Sequence, residues 1–140
     1  MSVQMVLLPV FVLVFLMFVL GLRVMAVRWR AVKTREVRVR DIALGQNAWP
    51  ENVTKVSNSY GNQFELPLLY FVLVALALPL RQTDLLFVLL SWIFVVLRFV
   101  HSGVHVTSND LRWRFSAFMA GAVVLMAMWI YFALKLFLAI

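Results

Sequence analysis

Four long apolar runs, at about residues 5–27, 62–80, 84–105 and 114–139, constrain this chain more than any motif in it. A hydrocarbon core of about 30 Å needs about 20 apolar residues per helical crossing, and each run supplies roughly that number. The expected fold is therefore all-α: an integral membrane four-helix bundle. At 64% hydrophobic residues the chain is far more apolar than a soluble domain, for which roughly 45–50% is usual. Four crossings consume most of the 140 residues and leave one loop, 28–61, and two short turns. That is too little for a soluble domain, so residues 1–140 read as one membrane domain.

The first run has no basic residue before it, is longer than a secretory h-region, and lacks a small-x-small cleavage site, so it is expected to remain in the protein. There is no cysteine. Disulfides and thiolate metal sites are excluded, and any thiol chemistry must use a thiol brought by the substrate.

Positive charge sets the expected orientation. Of thirteen Lys and Arg, seven lie between Arg28 and Lys55, and Arg112 and Arg114 precede the last run. The 80–83 turn carries Arg81 alone. The positive-inside bias then places the 28–61 loop in the cytoplasm and both termini outside. Topology and the pull of anionic headgroups account for this charge without a nucleic-acid partner. The sequon at Asn52 falls in the cytoplasmic loop and is expected to stay unmodified. Most tryptophans suit the membrane interfaces, and Trp92, in mid-run, suits packing.

The short turn "LPLRQTDLL" makes the second and third runs an antiparallel hairpin, with Pro79 ending one helix and Thr83 placed to cap the next. Measured from Asn62, Glu65 then lies about 5 Å into its helix at a 1.5 Å rise. Measured from Asp84, Arg98 and His101 lie about 21 to 26 Å along theirs, which is a matching depth. Arg98, His101 and His105 share a helical face by their i, i+3 and i+7 spacing, and Asn62 and Glu65 share another. A carboxylate at that depth costs a few kcal/mol unless it is paired or wet. Pairing of Glu65 with Arg98 or a histidine is expected, with a hydrogen bond added by Asn62. Such groups can serve interhelix bonding alone, at about 0.6 kcal/mol each. The cationic groups nevertheless outnumber the single glutamate, because Arg23, Arg28, Arg30 and Arg114 approach the same surface. Surplus positive charge beside a carboxylate suits a zwitterion with carboxylates for arginine and an ammonium for Glu65; glutathione has both kinds of group. His101 and His105 stand at i, i+4, but no third ligand other than Glu65 accompanies them, so no metal site is expected.

"NQFELP" resembles the helix-two signature of the MAPEG family, the membrane-associated proteins in eicosanoid and glutathione metabolism, and "RFVHSGVH" is similar to its Arg-x-x-His segment. The likeness extends to "VRWR" after the first run and to "RWRFS" opening the last, so it covers nearly the whole chain. It implies a left-handed four-helix bundle assembled as a homotrimer, with glutathione held between neighbouring subunits near the cytosolic face. It further implies that Arg28, Asn62, Glu65, Arg98, His101 and His105 bind glutathione. Arg114 would stabilise its thiolate, with Ser116 a nearby hydroxyl donor. The chemistry is sound, because a guanidinium beside a thiol lowers its pKa from about 8.5. The implied activity is glutathione-dependent transfer to, or peroxide reduction of, lipophilic small molecules entering from the bilayer. The expected setting is a bacterial inner membrane, with lipids as the surrounding partners.

This chain also departs from the eukaryotic members. Asn58 and Gly61 stand where those carry arginines, His105 where they carry a tyrosine, and Phe118 where some have another. Fewer carboxylate-gripping groups imply weaker glutathione binding or none. The alternative reading is a non-catalytic membrane scaffold or lipid-binding subunit of the same fold. Small multidrug exporters share the size but use a carboxylate in helix one, and none occurs here.

Overall fold

The structure, a computed structural model, describes residues 2–43, 49–61, 65–106 and 111–138. Its elements are α1 (Val3–Lys33), α2 (Val39–Ile42), α3 (Glu51–Gly61), α4 (Leu66–Ala77), α5 (Leu85–Val106) and α6 (Leu111–Leu138). Among the described residues there is no strand, and the chain is all-α. Three stretches, α1, Leu85–Gly103 of α5 and Arg112–Leu138 of α6, are long and apolar enough to cross a membrane. The second apolar run forms the 12-residue helix α4, about 18 Å long at 1.5 Å per residue. Alone it is shorter than the hydrocarbon core.

Local chemistry fixes the ends. The Ser2 hydroxyl accepts from the Met5 amide at 3.3 Å and starts α1. The helix then runs past the expected end near residue 27 to Lys33. Arg30 and Lys33 in its last turn complement the negative end of the helix dipole, and long basic side chains reach polar surroundings while their stems stay apolar. Arg35, at φ 61°, reverses the chain, and the Glu36 amide donates to the Ala31 carbonyl at 2.9 Å.

The stretch read as the 28–61 loop is thus largely helical. Pro50 leads into α3, Glu51 occupies its first turn, and Val53 and Val56 are buried on one face. Val53 packs with Ala31 and Val37 in a small cluster that holds α3 to the end of α1. On α1, Gly21 permits a close approach, because a Cβ there would stand 3.2 Å from the Tyr60 ring.

The main core is shared by four helices: Leu13, Leu16 and Leu20 from α1, Tyr70 and Leu73 from α4, Phe87 and Phe94 from α5, and Leu125, Met128 and Phe132 from α6. In lipid this core is held by van der Waals packing more than by exclusion from water. The opposite face of α1, with Phe11, Phe15, Phe18 and Leu22, is exposed. Such a face suits a hydrocarbon solvent and would be a liability in water.

The turn between α4 and α5 departs from expectation in its cap. Asp84, not Thr83, starts α5, accepting from the Phe87 amide at 3.0 Å. Its carboxylate oxygen sits three residues before that amide, the geometry an N-cap requires. Arg81 takes the left-handed turn position at φ 58°.

Candidate functional site

Arg98 and His101 are the best-enclosed polar groups of the expected set. Both lie on α5, at 1% and 3% exposure, and Ser102 beside them is equally buried. The i, i+3 spacing that placed them on one face does turn them both inward. The His101 ring lies 5.9 Å from that of Phe118 on α6, at a tilt of 49°. Arg114 stands one turn before Phe118 and is half-buried, so it belongs to the same end of the α5–α6 pair.

Glu65 occupies the N-cap position of α4, but its side chain caps nothing. Its carbonyl accepts from the Leu68 amide at 3.2 Å, and the side chain is exposed. Pro67 in the first turn, which lacks an amide hydrogen, sets where the helix can begin and leaves Glu65 just outside it. Charge still couples Glu65 to the buried Arg98 guanidinium. A buried guanidinium and a buried imidazole thus stand on α5, with the exposed Glu65 carboxylate just before α4.

Arg28 has other engagements. Its Nη2 donates to the Ser57 hydroxyl of α3 at 3.2 Å, and its guanidinium lies 5.2 Å from the centre of the Trp49 ring. These contacts bind α1 to the segment that follows it. Ser116 is exposed on α6. Asn62 lies outside the described residues, as does the side chain of His105, whose backbone belongs to α5. Among the described residues no three His, Cys, Asp or Glu side chains gather as a metal site would require.

At the opposite end of α6 is a cluster that sequence reasoning missed. Lys135 Nζ lies 2.9 Å from Asp84 Oδ2, and the Tyr131 hydroxyl donates to the same carboxylate oxygen. Partial burial raises the Asp84 pKa, but hydrogen bonds from Tyr131, the Phe87 amide and Lys135, with the Lys135 charge, outweigh it and hold the group down at about 2. The i, i+4 spacing of Tyr131 and Lys135 was the available signal. It lacked a partner in sequence because Asp84 is 47 residues from Tyr131.

A family model described as the MAPEG family matches residues 6–134 of the chain. No curated protein matches it, and no solved structure does.

Proposed function

Because the chain belongs to the MAPEG family, an assignment that with its apolar helices makes it an integral membrane protein, we propose that it binds glutathione at the Arg98 end of the α5–α6 pair and activates it toward lipophilic electrophiles. The observation that carries this reading is the burial of Arg98 and His101 on one face of α5, with the Glu65 carboxylate exposed just before α4. The donor set fits the ligand: a guanidinium can grip a carboxylate in bidentate fashion, and a carboxylate at the rim can accept from an ammonium. When bound, glutathione supplies a thiol nucleophile. Arg114 would favour the ionised sulfur electrostatically, Arg98 and His101 would orient the peptide, and Glu65 would hold its amino end. Ser116 is assigned the secondary role of hydroxyl donor, and Asn62 and His105 complete the binding set with Arg28.

The same reading takes the chain as a four-helix membrane bundle in a homotrimer, with sites at subunit boundaries, electrophiles arriving through the lipid, and a bacterial inner membrane as its setting. Calorimetry of glutathione binding to the purified protein is the deciding experiment: a saturable heat supports the proposal, and its absence at millimolar ligand defeats it. The non-catalytic scaffold reading draws its support from Arg28, whose guanidinium is already engaged by Ser57 and Trp49.

A further inference from the structure

A second polar site, lined by none of the residues of the Arg98 cluster, lies where α1 leaves the apolar layer. Residues 3–22 carry no charge, and twenty helical residues span about 30 Å, the thickness of the hydrocarbon core. Arg23 therefore stands where headgroups begin. Arg30 follows it by seven residues, two helical turns, so both project from one stripe of α1. They line a cavity of about 400 Å³ that is completed by Glu36 from the turn after α1 and Asn52 from α3. Its size is within the roughly 300–1,000 Å³ of small-molecule sites. Among the described residues neither arginine nor Glu36 forms an ion pair.

We infer that this cavity binds the headgroup of an aminophospholipid, with the phosphate on Arg23 and Arg30 and the ammonium on Glu36. Two cations and a hydrogen-bonding amide suit a phosphodiester. A carboxylate facing them disfavours a purely anionic headgroup and favours one that also carries a positive amine. Depth selects a lipid over a free phosphorylated amine, since basic pockets between helices at this level meet headgroups before they meet solutes. The adjoining face of α1 offers a mostly apolar groove of about 700 Å³ lined by Met25, Trp29, Val32 and Trp49, with Arg28 beside them, next to where the lipid's chains would run.

The test uses the full-length protein in mild detergent, with lipid binding read by native mass spectrometry against phosphatidylethanolamine, phosphatidylglycerol and phosphatidylcholine, with inorganic phosphate and glutathione as competitors. Phosphatidylethanolamine should bind best, Arg23→Gln with Arg30→Gln should weaken it at least tenfold, and Glu36→Gln should abolish its advantage over phosphatidylglycerol while leaving the latter bound. Glu36 is exposed, so its variant tests the site even if the double variant does not fold. Equal retention of the three lipids, or a double variant within twofold of the parent, overturns the inference. Displacement by millimolar phosphate would make the cavity a free-anion site, and displacement by glutathione would merge it with the site proposed above; either outcome also overturns it.

Discussion

Arg98 is the residue on which the inner site turns, because it is a guanidinium at 1% exposure inside a membrane helix. Replacing it with Leu strips the groups it engages of their partner, a loss of about 1–3 kcal/mol. Glu65→Gln removes a charge that is exposed and screened and should cost less than about 1 kcal/mol. Unfolding of the two variants in mixed micelles measures both, and a Glu65→Gln loss as large as that of Arg98→Leu and well above about 1 kcal/mol would show that Glu65 is buried rather than standing at the rim. Function should divide differently. Glu65→Gln is expected to weaken glutathione binding with the thiol pKa nearly unchanged, whereas Arg114→Ala should raise that pKa toward the free value of about 8.5. A thiolate absorbance titration on each variant reads these effects separately, and an unchanged titration in Arg114→Ala would remove Arg114 from the mechanism. The spacing of Arg98 and His101 made their shared inward face legible in the sequence. The exposure of Glu65 was not, because hydropathy does not distinguish the first residue of a helix from the residue just before it.

At the scale of elements, the helices were legible where apolar runs are long and obscure where they are short or amphipathic. α3 was hidden because it is only 11 residues long and mostly polar, with bulky apolar side chains at Val53, Val56 and Tyr60 alone. Its docking makes a prediction at Gly21, where a Cβ already meets Tyr60 at 3.2 Å. Gly21→Leu should force α3 away and cost about 1–3 kcal/mol. Gly121→Ala, whose Cβ would stand at 3.8 Å from Phe94, should stabilise α6 by up to about 1 kcal/mol through helix propensity. Thermal melts of both variants check the contrast, and a neutral Gly21→Leu would mean that α3 is not held against α1. The turn before α5 carries a pH dependence. Asp84 has a folded pKa of about 2, below its ordinary value of 3.8. Its contribution is fully present above about pH 4 and is lost as pH falls through about 2. Asp84→Asn should flatten that part of the stability profile, as followed by tryptophan fluorescence between pH 2 and 5. A variant with the parent's full acid sensitivity would show that Asp84 is not its source.

For the whole molecule, the burial of the site bears on assembly and the distribution of charge bears on orientation. A single copy buries Arg98 and His101 but leaves Glu65 exposed, so enclosing that carboxylate as well needs a neighbour. A homotrimer follows from the proposed function, and a mass measured in mild detergent that shows only monomers or dimers would count against it. Orientation is the more direct test, because it rests on charge alone. The basic residues concentrate at the α1–α3 end and in the first turn of α6, whereas the α4–α5 turn has Arg81. These ends lie on opposite sides if α5 crosses the membrane, and the positive-inside bias assigns the basic one to the cytoplasm. The chain has no cysteine, so single cysteines placed at Asn58 on α3 and at Thr83 in the α4–α5 turn can be read without background. With a membrane-impermeant maleimide on intact cells, Thr83→Cys should label and Asn58→Cys should label only after lysis. Reversed labelling would invert the molecule and place Glu65, Arg98 and Arg114 at the outer face, beyond the reach of a cytosolic thiol. Labelling of both positions from one side would mean that α4, which alone separates them, does not cross the membrane.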